Sequence, residues 1–277
     1  MRFFIYFSYN GAAYHGWQFQ PNADSVQQRL ETAFETLLRQ RVILTAAGRT
    51  DTGVHARLMV AHFDFPEHLF NDSIDKSIVN QLSNCKLSNR QLNDLAFRLN
   101  GLLPDDISVQ KIVPVRPDAH ARFDATSRTY EYWVTSEKNP YTTHLLTYTR
   151  FQLDYERMNE AAKMLLEEKE FASFCKAHSD NKTTFCDVRR AFWEERPAPF
   201  FPEQTCHVFT IEADRFLRNM VRAVVGTLFE VGRGNMTIDQ MRQAIEAHDR
   251  CATGQSMPPD GLYLTDIRYP DHLFLVD

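Results

Sequence analysis

The chain has 277 residues, 43% of them hydrophobic and 24% charged, which excludes a disordered or fibrous protein and suits one large domain or two modest ones. Its apolar runs, such as Ala223 to Phe229, are too short to span a bilayer, and the N-terminus enters a strand-like pattern without a signal-peptide cleavage site; the expectation is a cytoplasmic protein with no membrane partner. The net charge of −5 weighs against a uniformly basic nucleic-acid binder, although the acids gather at Glu167-Glu168 and Glu194-Glu195 and the arginines elsewhere, at Arg49, Arg57, Arg122, Arg128, Arg189, Arg190, Arg215, Arg218 and Arg222.

Arg2 to Tyr9 is aromatic and β-branched and reads as a strand. Ser25 opens a helix, with Gln28 as a capping-box partner and Val26, Leu30, Ala33, Phe34 and Leu37 at helical spacing. A short strand is expected around Val42 to Leu44, another over Leu58 to Phe65, a helix over Gln91 to Asn100 and a strand over Ile107 to Val113. That order, βαββαβ, then repeats. Arg128 to Thr135 is a strand, and Asp154 caps a helix carrying Met158, Ala161, Ala162, Leu165 and Leu166. Asp187 to Glu195 and Cys206 to Ala213 are strands joined by a turn with Pro197, Pro199 and Pro202. A wide apolar stripe from Leu217 to Phe229 marks a helix ending at Gly232; Thr237, paired with Gln240, opens an added helix, and Leu262 to Arg268 is the last strand. Two such units predict an α+β protein of two split-βαβ, ferredoxin-like halves flanking a cleft, residues 1–113 and 114–277. Residues 70–93, rich in Asn and Ser, read as an inserted solvated loop. The five cysteines show neither a disulfide framework nor zinc-ligand spacing.

The segment that can carry chemistry is Ala46-Ala-Gly-Arg-Thr-Asp-Thr-Gly-Val-His-Ala-Arg57. Asp51 is its single carboxylate, with Arg49 two residues before it and glycines at 48 and 53. A carboxylate held against a guanidinium stays ionised, which suits a nucleophile or electrostatic stabiliser and not a general acid. By spacing alone the segment also fits a polar hairpin loop whose Asp and Arg make local turn bonds. A phosphate loop is excluded, because Val54 and His55 stand where Lys and Ser/Thr are needed. The Asp51-Thr52-Gly53 triplet has no second copy to complete an aspartic-protease dyad.

Gly48-Arg49-Thr50-Asp51-Thr52-Gly53-Val54-His55 resembles the catalytic motif of the bacterial tRNA pseudouridine synthase A family. Tyr9-Asn10-Gly11 with Tyr14-His15-Gly16-Trp17-Gln18, His120 through Tyr130, Phe171-Ala-Ser-Phe174, Phe216 through Arg222 with Gly226, and Gly261-Leu262-Tyr263 resemble its other motifs in the same order. Thr52 departs from the Ala or Lys common there. The resemblance implies isomerisation of uridine to pseudouridine at positions 38 to 40 of the tRNA anticodon stem-loop, by a cytoplasmic homodimer that binds tRNA and needs no cofactor or metal. It implies Asp51 as the catalytic residue, Tyr130 at the target base, Arg222 paired with Asp51, and Arg49 on phosphate or the flipped nucleotide; Trp17, Arg122 and Arg128 are candidate RNA contacts. Taken without the family, Tyr130 is a strand tyrosine alternating with Tyr132 and Val134, and Arg222 a solvated helix arginine. A non-catalytic RNA-binding module would need an aromatic strand motif that is not found, and a glycosidic hydrolase a second placed carboxylate.

Overall fold

The computed structural model describes residues 1–65, 88–176, 183–199 and 201–275. The α+β chain forms two compact units, Met1–Thr126 with Ile267–Asp277, and Ser127–Asp266.

The first unit runs β1 (Arg2–Tyr9), α1 (Val26–Leu38), β2 (Thr45–Ala46), β3 (His55–Asp64), α2 (Asn89–Asn100) and β4 (Ile107–Val115). Its strand order is β4-β1-β3-β2, antiparallel throughout. Strand β1 is buried along both faces, and its neighbours show why. Phe3 stacks on Phe63 at 5.5 Å, and Phe34 of α1 meets Phe63 at 5.0 Å. On the opposite face Phe4 packs against Tyr269 at 4.9 Å and Phe274 at 6.3 Å, so the C-terminal segment covers what the helices do not. A strand covered on both faces reads as a continuous apolar run, which accounts for Phe3-Phe-Ile-Tyr-Phe7.

The C-terminal segment also moves the division of the chain. Arg116 N donates to Leu273 O at 2.9 Å, Thr126 N to Arg268 O at 2.8 Å, and Tyr269 Oη to Ala121 O at 2.7 Å. These bonds hold residues 116–126 in the first unit, so the units part at 126/127 and not at 113/114.

The second unit runs β5 (Ser127–Thr135), β6 (Thr147–Tyr148), α3 (Tyr155–Ala162), α4 (Met164–Glu167), β7 (Val188–Ala198), β8 (Phe201–Ala213), α5 (Met220–Gly232), α6 (Ile238–Glu246) and β9 (Leu262–Arg268), of which residues 262–266 belong here. Its strand order is β9-β5-β8-β7, with β6 added parallel to β5. Helix α5 is buried on all sides except at Arg222 and Glu230. Its Phe229 packs on Trp193 at 6.1 Å, and Trp193 on Phe209 at 5.2 Å. No described helix is long and apolar enough to cross a membrane.

Several expected bounds are corrected. The short strand is Thr45–Ala46, because α1 side chains take the backbone groups of Leu44: its N–H donates to Glu31 Oε1 at 3.0 Å and its carbonyl accepts from Gln27 Nε2 at 3.2 Å. The helix after Asp154 breaks at Lys163. The proline segment lies largely inside a long hairpin, with Pro197 opposite Thr205 and Pro202 in β8. Of the expected insertion, residues 70–87 lie outside the described residues, whereas Asn89 to Gln91 already belong to α2, capped by Ser88 and Gln91.

Candidate active site

Asp51 opens a tight turn between β2 and β3. Its carbonyl accepts from Val54 N at 3.1 Å, with Gly53 at φ +79°. Arg49 is exposed, Asp51 half-buried and Thr50 buried. The segment 9–17 wraps this turn and bonds it at several points. Tyr9 Oη lies 2.8 Å from Thr50 Oγ1. Trp17 N donates to Thr50 O at 3.2 Å, and Gly53 N to Tyr14 O at 3.2 Å. Gly11 N donates to His55 Nδ1 at 3.1 Å, an acceptor role that requires that nitrogen to be unprotonated. Tyr14 Oη in turn donates to Asp106 Oδ1 at 2.6 Å; burial, and then this carboxylate, push the Tyr14 hydroxyl pKa up and keep it a donor. Gly16 sits at φ +91°, and a Cβ there would fall 2.4 Å from Thr50 O, so only glycine lets the wrap approach the turn this closely.

In the second unit Tyr130 lies on β5 opposite Ile211 of β8. Its strand neighbours on the same face, Tyr132 and Val134, are fully buried, whereas Tyr130 is half-buried and meets Phe216 edge-on at 5.1 Å. Arg222 occupies the first turn of α5 and is not on a solvated face: it is half-buried on a helix otherwise buried nearly all round. Its Nε donates to Met257 O at 2.6 Å, and its carbonyl accepts from Met257 N at 3.0 Å.

The peptide that fixes Arg222 is itself held. Arg250 donates to Thr253 Oγ1 at 2.8 Å, Gly254 O at 2.9 Å and Ser256 Oγ at 2.8 Å. Asn219, in the left-handed conformation at φ 66° before α5, donates to the same Ser256. A Cβ at Gly226 would fall 1.7 Å from Gln255 O, so the segment crosses α5 in direct backbone contact. Thr253 Oγ1 reaches Ser173 O at 3.0 Å, and buried Ser173 Oγ bonds the carbonyls of Ala244 and Ile245, satisfying the end of α6.

A family model described as tRNA pseudouridine synthase matches residues 161–270. A relative in Parabacteroides distasonis named tRNA pseudouridine synthase A is 50% identical over 276 residues, covering 100% of this chain and 99% of its own length. One of the same name in Bacteroides thetaiotaomicron is 50% identical over 273 residues, covering 99% and 92%. A more distant one in Shewanella amazonensis is 34% identical over 275 residues, covering 98% and 94%. The chain belongs to the tRNA pseudouridine synthase A family.

The segments that resemble motifs of the pseudouridine synthase A family are those each unit ties together internally. The Tyr9 to Gln18 stretch is the scaffold of the Asp51 turn, Ser173 of the Phe171-to-Phe174 motif closes α6, and Asn219 and Gly226 seat the peptide that holds Arg222. Tyr9, Tyr14, His55 and Ser173 stand in the quoted motifs but carried no assigned role, and Arg250 lies in none of them; the close glycines Gly11 and Gly16 were the available signal for the first three. Two candidate RNA contacts are withdrawn. Trp17 is 3% exposed and packs on Phe7 at 5.4 Å, so its ring is core. Arg128 is 9% exposed and donates to Asp214 O at 2.6 Å, a bond that anchors the end of β8. Arg122 is exposed. Among the described residues no group of three or more His, Cys, Asp or Glu is placed to hold a metal ion, and none of the four described cysteines forms a disulfide.

Proposed function

We propose that this protein isomerises uridine to pseudouridine in tRNA, at positions 38 to 40 of the anticodon stem-loop, with Asp51 as the catalytic carboxylate. The reaction breaks the N1–C1′ glycosidic bond, turns the uracil and joins C5 to C1′; the proton leaves C5 and one is gained at N1. Nothing is oxidised or hydrolysed, so the chemistry asks for no redox group. One ionised carboxylate can attack C1′, attack C6 of the base, or stabilise the path through a glycal. Tyr130 packs against the target base and serves as the base in the glycal route. Arg222 pairs with Asp51, and Arg49 holds phosphate or the flipped nucleotide. Extracting the target base from its stack costs a few kcal/mol, which such contacts must supply.

The observation that carries this reading is the Asp51 turn, held from outside by hydrogen bonds with Tyr9, Tyr14 and Trp17 and flanked by the Gly11–His55 bond, within a chain 50% identical to members of the family over its whole length. Support for Arg222 comes from its place, half-buried on the first turn of a helix whose other residues are nearly all buried, and tied to the peptide at Met257. Each unit is read as a ferredoxin-like half, a reading that their equal strand order supports. The working form is a homodimer in the cytoplasm that binds tRNA across both subunits. Incubating the protein with unmodified tRNA and mapping pseudouridine by mass spectrometry tests the reading. Pseudouridine at 38 to 40 is expected; free uracil would mean hydrolysis, and modification elsewhere would overturn the assigned positions.

A further inference from the structure

The turn from His120 to Asp124, within the first unit, is bonded at every amide. His120 N donates to Asp124 Oδ2 at 2.7 Å, and Asp124 N to His120 O at 3.0 Å. Arg122 N and Phe123 N donate to His120 Nδ1 at 3.1 and 3.4 Å. Ala121 N donates to Nδ1 of His62, on β3, at 3.1 Å. The two imidazoles meet edge to face at 4.5 Å, and His62 is 8% exposed. Two histidines thus serve the turn as acceptors, a role each can fill only with Nδ1 unprotonated.

What this rigid turn presents is apolar. Phe123 is 73% exposed, leaning on the His120 ring at 4.3 Å, with the Arg122 guanidinium 5.7 Å from its own ring. A phenylalanine left in water adds little to folding, so the cost of bonding the turn around it points to recognition. An exposed aromatic ring beside an arginine is the pairing that stacks unpaired bases and neutralises their phosphates.

We infer that Phe123 is a stacking platform for a nucleobase of tRNA, with Arg122 on the adjoining phosphate, and that His62 and His120 are the positioning residues that hold it. This rests on the tRNA reading above. Stacking on one aromatic side chain corresponds to roughly 5- to 100-fold in affinity.

The test measures binding of unmodified tRNA by the inactive Asp51→Asn protein at fixed salt. Phe123→Ala and Phe123→Leu should both weaken binding by roughly 5- to 100-fold, with the salt slope unchanged because the ring neutralises no phosphate. Phe123→Trp should bind like the parent. Its emission should be quenched by tRNA, a signal readable because Trp17, Trp133 and Trp193 are only 3–4% exposed. In the active protein His120→Leu should raise KM with kcat retained, and His120→Asn, which keeps an acceptor, should restore KM. Unchanged binding in Phe123→Ala, or a Phe123→Ala protein whose oligomeric state changes while affinity per site does not, would overturn the inference. Pseudouridine formation by the unmutated protein on the same tRNA is scored separately: its absence sinks the tRNA reading, and its presence with unaffected Phe123→Ala binding sinks only this one.

Discussion

Gly16→Ala tests whether the segment 9–17 sets the geometry of Asp51. The added methyl would lie 2.4 Å from Thr50 O and 3.1 Å from the Asp51 carbonyl carbon. Ordinary contact begins near 3.4 Å, so the turn and the wrap must separate by about 1 Å. Neither side yields easily, since both are backbone, tied by Trp17 N to Thr50 O and Gly53 N to Tyr14 O. A non-glycine residue at φ +91° adds about 1–2 kcal/mol of strain. A misplacement of about 1 Å in a catalytic group costs on the order of 100-fold in rate. The expected outcome is a folded protein with Tm lowered by a few degrees, kcat reduced about 100-fold and tRNA affinity nearly unchanged. Single-turnover tritium release from C5-labelled tRNA, with binding measured in parallel, gives both numbers. A folded variant that keeps kcat within about threefold (well short of the 100-fold a 1 Å shift implies) would refute the idea that this approach positions the carboxylate.

Arg222→Ala should lower kcat far more than tRNA affinity, because the guanidinium is proposed to act on Asp51; unchanged kcat would place it outside the active site. The salt dependence of tRNA binding should be moderate. Arg128 is buried, and Arg49, Arg57, Arg122 and Arg218 are exposed and are the proposed phosphate contacts. At about −0.7 per contact, log K against log salt should slope by roughly −2 to −3, and a slope near zero would remove phosphate binding from the account. Burial, then the charge of His120 and of Arg2, lower the pKa of His62 to about 4 from 6.5. Between those values the unfolded chain binds more protons than the folded one, so stability falls as pH drops from 6.5 towards 4, by up to roughly 3 kcal/mol. Urea unfolding at pH 7 and pH 4.5 should show a larger loss for the parent than for His62→Asn; equal losses would contradict the assignment.

Much of the fold was legible because burial and period coincide. Val26, Leu30, Ala33 and Phe34 are the buried face of α1, Thr237 and Gln240 form the capping box of α6, and β9 has the expected bounds. Less legible were features settled by distant residues. Nothing local to Pro114 shows that Phe274 will bridge to Val115 and keep residues up to Thr126 with the first unit. Val42 to Leu44 has strand composition, yet Gln27 and Glu31 claim the backbone of Leu44. At the site, the Asp51 turn stood out by its glycines, but its dependence on Tyr9, Tyr14 and Gly16 is tertiary. Trp17 looked like a stacking residue because an indole serves a core and an RNA surface equally well in sequence; Phe7 and 3% exposure decide between them.

The central claim is that the Asp51 carboxylate carries the isomerisation. Asp51→Asn keeps the size and the backbone turn and removes the charge. With unmodified tRNA bearing C5-tritiated uridine, the parent should release tritium and form pseudouridine. The Asn variant should release almost none while retaining its fold and its affinity for tRNA. Release within about tenfold of the parent, which is only about 1.4 kcal/mol of transition-state stabilisation, would contradict the claim and return Asp51 to the status of a turn residue.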